Sequence, residues 1–190
     1  MKKLFYTLPV IFSFIFSSCG VGGNADSGVS VLLEVKNVVP AYLEIDLIKK
    51  IDNDNNDICD DFTIPTGDQI SVTFKSVIPE NSKVQPSDII ITSYKVYFYP
   101  KNKDINVPPQ SFGASCLIPA GATQTCTFPV FLSSKKLDFY KNNWQDEFDI
   151  VIEFKGKEVI YDKSLTINAQ VTSLISDIIQ EGEPSCSMPE

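Results

Sequence analysis

From Val29 onward, apolar and polar residues alternate with period 2 through most of the chain. This is the pattern of strands that turn one face to a core and the other to water. Val29, Val31, Leu33 and Val35 share one face of a first run, and Leu43, Ile45 and Leu47 share one face of a second. Ile70, Val72 and Phe74 continue the pattern, followed by a stretch from Ile89 to Tyr99 rich in β-branched and aromatic side chains. Phe148, Ile150, Ile152 and Phe154 alternate with Asp149 and Glu153, and Leu165, Ile167, Ala169 and Val171 repeat the motif. Turn formers cluster between the runs, at Pro65 to Asp68, Pro79 to Ser82, Pro100 to Pro109, Pro119 to Ala122 and Lys155 to Lys157. Short strands separated in this way, with no long helical pattern between them, predict an all-β fold, an antiparallel β-sandwich rather than a βαβ sheet.

One segment reads two ways. Val171, Leu174, Ile175, Ile178 and Ile179 fall at helical spacing with Gly182 beyond them, so the last strand either runs into a short C-terminal helix or continues as a strand to about Ile179.

The first residues follow a different logic. Lys2 and Lys3 precede an apolar run from Leu4 to Phe16 that is too short to span a bilayer, which takes ~20 residues, and that is broken by Pro9. Phe16, Ser17, Ser18 and Cys19 then resemble the lipobox of bacterial lipoproteins, in which small residues precede a Cys that becomes the lipidated first residue. The resemblance implies a signal peptide over 1–18 and membrane attachment through acylated Cys19. Residues 19–28, rich in Gly, Ser, Asn and Asp, form a flexible tether, 29–180 the sandwich domain and 181–190 an acidic tail. Gly20 stands where an Asp commonly retains lipoproteins at the inner membrane, so the outer membrane is favoured in a cell with two.

Composition narrows the chemistry. The formal charge is −8, and loss of a signal peptide carrying Lys2 and Lys3 but no acid takes it to about −10, a chain that repels nucleic acid. The chain holds no His and no Arg, which removes Ser-His-Asp and Cys-His nucleophiles, His-ligated zinc and guanidinium clamps on phosphate. Carboxylate-only chemistry survives that test, and Asp146, Glu147 and Asp149 near Trp144 and Tyr140 are its candidates, as an acid pair beside an aromatic sugar platform. Strand position argues against them, because Asp149 belongs to an outward face.

Beyond Cys19, the chain has Cys59, Cys116, Cys126 and Cys186, an even set that predicts two disulfides in an exported protein. Cys116 and Cys126 lie symmetrically about Gly121, so a hairpin turning at Pro119 to Ala122 would place them opposite each other at about 4.5–5.5 Å between Cα atoms. That pairing leaves Cys59 with Cys186. With no C-x-x-C pair present, zinc is not indicated.

The segment Ile91-Thr-Ser-Tyr-Lys-Val-Tyr-Phe-Tyr99 is similar to the central strand of immunoglobulin or fibronectin type III-like domains, in which a Tyr and alternating apolar residues enter the core. The resemblance extends from Leu43 to Val171 and implies an immunoglobulin-like sandwich of the kind found in bacterial lipoproteins. Trp144 lies in a polar run and does not match the buried Trp of antibody domains, and no sheet-bridging Cys pair is evident.

The densest polar cluster runs from Asp52 to Asp61. In a calcium loop Asp52, Asp54 and Asn56 would occupy positions 1, 3 and 5, the Ile58 carbonyl position 7 and Asp60 position 9. This resembles EF-hand-like and thrombospondin type 3-like loops, except that Asp57 replaces the Gly at position 6 and Thr63 the Glu at position 12. The plainer reading is a solvated turn, since Asn and Asp favour turns. The expectation is therefore a lipid-anchored structural or binding module of the cell envelope, without catalysis or a required cofactor, facing an envelope protein or glycan. A calcium-dependent or carbohydrate-binding adhesin is the main alternative, and a carboxylate-only glycoside hydrolase the remote one.

Overall fold

The computed structural model describes residues 30–54, 58–80, 82–178 and 186. The expected signal peptide, Cys19 and the tether lie outside the described residues, as do Asn56, Asp57, Ile179 and the acidic tail apart from Cys186.

Ten strands form among the described residues: β1 (Leu32–Val39), β2 (Tyr42–Asp46), β3 (Lys49–Ile51), β4 (Asp61–Thr63), β5 (Gln69–Val77), β6 (Ile89–Pro100), β7 (Gln110–Ile118), β8 (Thr123–Pro129), β9 (Asp146–Glu158) and β10 (Ser164–Ser176). One sheet has the order β1-β5-β8 and the other β2-β10-β9-β6-β7, while β3 and β4 make a separate ribbon. The two larger sheets close on a shared core, an all-β sandwich. Its pairs are antiparallel apart from β2, which joins the edge of the larger sheet parallel to β10, with Tyr42 facing Thr172 and Asp46 facing Ser176.

The core follows the period-2 reading closely. Ile70, Val72 and Phe74 of β5 are sealed from solvent, as are Phe148, Ile150, Ile152 and Phe154 of β9. Each such side chain contributes about 1.5–3 kcal/mol by leaving water. Phe74, Tyr94, Phe128 and Phe154 meet between the sheets in edge-on and tilted contacts, with Phe74 and Phe154 at 5.3 Å and 89°. In β6 the buried residues switch phase, from Ile89 and Ile91 to Tyr94, Val96 and Phe98, because a bulge between Ile91 and Ser93 inserts a residue. Opposite Ile91, the β9 backbone comes so close at Gly156 that a Cβ would stand 2.7 Å from the Ile90 carbonyl oxygen.

Val171, Ser173 and Ile175 are buried in alternation, and β10 pairs with β9 through Ile175 and with β2 through Ser176, so of the two readings of this segment the strand is the one observed. Two other expectations are corrected. The polar triplet Lys155 to Lys157 is not a turn but the end of β9, and the chain reverses instead through the apolar Val159-Ile160-Tyr161, with Asp162 at φ 55°. A helix, α1 (Ser133–Lys141), fills the connection from β8 to β9, where none was expected. Its buried residues are Lys136 and Phe139. A lysine occupies a core-facing position that an apolar residue would have marked, so the helical period is not written in the hydrophobic pattern. The helix ends as Asn142 N–H bonds the Asp138 carbonyl and Asn143 takes φ 52°, a left-handed conformation that Asn tolerates.

Candidate functional site

The ribbon β3–β4 stands where β2 ends and β5 is about to begin, held by an ion pair of 2.6 Å between Lys50 and Asp177. Its loop carries the acidic cluster. Asp52, Asp54 and Asp60 each bring a carboxylate oxygen to within 4.8 Å of the others. The loop is shaped by the backbone: Asp60 N–H donates to the Ile51 carbonyl at 2.8 Å, and Asp60 Oδ2 accepts the Asn53 N–H at 2.7 Å. Ligand oxygens around one calcium ion, bound at 2.3–2.6 Å, lie no more than about 4.6–5.2 Å apart, so these three oxygens fall within the span of a single cation's shell.

The remaining expected ligands are distributed differently. Asn56 falls outside the described residues, and the Ile58 side chain is exposed. Thr63, at the position of the missing Glu, is paired with Lys49 in the ribbon and belongs to its ladder. The described loop thus presents three carboxylates on two short segments. It is pinned from behind by the Cys59–Cys186 disulfide, with Cα atoms 5.0 Å apart and both residues buried.

Cys116 and Cys126 are also bonded, at a Cα separation of 6.2 Å. The expected pairing is observed, but its setting is not a hairpin. β7 belongs to the five-stranded sheet and β8 to the three-stranded sheet, so the turn at Pro119 to Ala122 crosses between layers and the disulfide bridges them. That turn closes with Ala122 N–H on the Pro119 carbonyl, and Gly121 at φ 73° supplies the conformation it needs. Beside the bridge, an open groove of about 390 Å³ runs between β7 and β8, lined by Tyr94, Gly113, Cys116, Cys126 and Phe128 among others. Phe112 stacks on Tyr94 at 4.8 Å and 3°. Tyr94 directs its hydroxyl at the Pro129 carbonyl, 2.7 Å away, and burial pushes the ionisation of that hydroxyl up. The exposed tyrosines Tyr42, Tyr99 and Tyr161 do not line this groove.

The carboxylates considered for hydrolysis are engaged. Asp146 Oδ2 accepts the backbone N–H groups of Asn102 and Lys103, each at 2.8 Å, and Oδ1 accepts Asn102 Nδ2 at 2.7 Å and the Glu147 N–H at 2.8 Å. Burial opposes its ionisation, but these donors outweigh burial and hold the carboxyl below its ordinary range. Glu147 and Asp149 share Lys101, at 2.8 and 3.4 Å, and the Glu147 hydrogen bond raises the ammonium above its usual value. Asp146 is therefore a clamp on the loop after β6, and its neighbours form an outer-face ion pair.

Two buried charges have no signal in the hydrophobic pattern. Lys136 is fully enclosed and donates to the Asp46 carbonyl at 2.7 Å and pairs with Asp68 at 2.8 Å, joining α1 to the end of β2 and the loop before β5. Glu158, also enclosed, accepts the N–H and hydroxyl of Ser30 through Oε1 at 2.6 and 2.8 Å. The first described residue is thus fastened to the end of β9.

No helix among the described residues is long and apolar enough to cross a membrane. No family model matches the chain, and no curated protein matches it significantly.

Proposed function

We propose that this chain is a lipid-anchored β-sandwich of the cell envelope, acting as a structural or binding module and not as a catalyst. The observation that carries the reading is the pair of disulfides in a domain that follows the signal-like segment ending at Cys19, since disulfides form and persist in oxidising, extracytoplasmic compartments. The strand order supports the immunoglobulin or fibronectin type III-like resemblance: a three-stranded sheet faces a larger one, and Tyr94 of β6 enters the core. Absence of His and Arg from the sequence and the engagement of Asp146, Glu147 and Asp149 support a binding role over hydrolysis. The partner is an envelope protein or glycan, and Gly20 favours the outer membrane. Mass spectrometry of the membrane fraction tests the anchor: an acylated peptide beginning at Cys19 is expected, together with release of Cys19→Ala into the soluble fraction. An unmodified chain still carrying Met1 overturns it.

The convergence of Asp52, Asp54 and Asp60 favours a second reading, a calcium-dependent module. Binding to the folded state alone raises stability by about 2.7 kcal/mol once free ion reaches 100 times the dissociation constant. Magnesium substitutes poorly, because it keeps its waters and demands a stricter octahedron. Melting is compared in calcium, magnesium and chelator, and repeated on Asp52→Asn with Asp54→Asn. Identical melting throughout leaves a solvated turn.

A further inference from the structure

The hairpin from β9 to β10 turns on the wrong residues for a solvated loop. Val159 and Ile160 are 54% and 52% exposed, and Tyr161 lies beside them at 36%. Turns that face only water are built from Gly, Asn, Asp, Pro and Ser, each with a conformational reason to be there. This one is also rigidly placed. Val159 N–H donates to the Asp88 carbonyl at 2.9 Å, Ile160 N–H to Ser87 Oγ at 2.9 Å, and the Tyr161 hydroxyl to the Gln85 carbonyl at 3.0 Å.

The same hydrogen-bonded unit receives the start of the domain. Ser30 Oγ accepts the Ser87 N–H at 3.0 Å while donating to Glu158, the residue just before the apolar tip. The chain that leads back to Cys19 therefore leaves the sandwich at this hairpin. Even fully extended, the residues from Cys19 to Ser30 span at most about 40 Å, and Gly-rich linkers of that length average roughly half as much. Strand β9 is itself about 40 Å long at 3.3 Å per residue, and the acidic loop and Trp144 belong to its opposite end.

Further exposed apolar side chains gather at the same end: Ile78 after β5, Val84 in the following loop, and Leu117 at the close of β7. Lys83, Lys155 and Lys157 are exposed there too, in a chain whose net charge is −8, with Lys155 paired to Glu153 and Lys157 to Asp162. Apolar residues with a Tyr and flanking lysines are the composition of a membrane–water interface, where Tyr sits at headgroup level and Lys meets anionic lipid.

We infer that the Val159–Tyr161 hairpin tip, with Val84 beside it, rests in the interfacial layer of the bilayer that carries the lipid anchor, so that the sandwich stands upright with its acidic loop outward. The inference builds on lipidation at Cys19. It gives the tether a second, weak contact that orients the domain.

The test uses the full mature protein, purified with its acyl chains and reconstituted in vesicles of phosphatidylcholine with phosphatidylglycerol, with and without bromine near the top of the acyl chains. Ile160→Trp and Val84→Trp are compared with the parent protein, whose single Trp144 reports the far end. Both variants are expected to gain blue-shifted emission that brominated lipid largely extinguishes, while parent emission is unaffected. Near-ultraviolet circular dichroism confirms that each variant is folded, and quenching of either folded variant suffices. Acylated, vesicle-bound protein whose added tryptophans are not quenched overturns the inference and leaves the anchor standing. Protein that carries no acyl group and does not float with vesicles overturns both. A blue shift that grows with protein-to-lipid ratio, without bromine quenching, assigns the tip to a second copy of the chain and also overturns the inference.

Discussion

Three of the four bridged cysteines are buried and the fourth, Cys126, is half-buried, yet the two disulfides should contribute very different amounts. Cys116 and Cys126 are separated by 10 residues, and Cys59 and Cys186 by 127. In the chain-entropy treatment, closing the short loop restricts the unfolded state by about 2.8 kcal/mol and closing the long one by about 4.9 kcal/mol. Packing losses on replacement are similar, because Cys59, Cys186 and Cys116 are all nearly sealed and Cys126 is half-buried. The difference of about 2 kcal/mol therefore belongs to the unfolded chain. Urea unfolding of Cys59→Ala with Cys186→Ala is expected to show the larger loss, and also the larger rise in m, since the freed unfolded chain exposes more surface. Removing the bridge between the sheets should give the smaller change in both. If the Cys116 and Cys126 double variant costs as much as or more than the other with the same m, loop closure is not the source of the stability. The inter-sheet bridge would then act on the native state.

Three other perturbations test single contacts. Gly156→Ala places a Cβ against the Ile90 carbonyl and should cost about 1–3 kcal/mol by overpacking, measured as a fall in the urea midpoint, and an unchanged midpoint refutes the close approach. Asp68→Ala leaves the enclosed Lys136 ammonium without its carboxylate and should cost about 3–5 kcal/mol. Lys136→Met with Asp68→Ala should recover much of that loss, and a double variant no better than the single one contradicts the burial argument. Asp146 has a folded value held below its unfolded one of about 3.9, so its stabilisation is present above that pH and is lost as pH falls through the folded value. Asp146→Asn should therefore lose stability against the parent at pH 7 and converge with it in acid, whereas a gap independent of pH would mean that ionisation plays no part.

What the sequence by itself determined is which side chains face inward, because alternation is a local property and water alone selects the face. Ile70, Val72 and Phe74 and the β9 series could be assigned without a partner strand in view. Cysteine pairing was legible from spacing and parity. The strand order was not, since a strand's neighbours are chosen by contacts distant in sequence: β9 lies between β6 and β10, and β2 joins β10 in parallel. For the same reason the Cys116–Cys126 bridge could be expected as a pair but not as a link between sheets. Helix α1 escaped notice because its enclosed residue is Lys136, whose burial is tolerable only when Asp46 and Asp68 arrive from other elements. Of the candidate site, the acidic composition was visible in the chain. Bringing Asp60 back to Asp52 and Asp54 needed the ribbon and the distant Cys186. The apolar turn at Val159 to Tyr161 broke the rule for turns, and its proximity to Ser30 exists only in the folded protein, where Glu158 holds the two together.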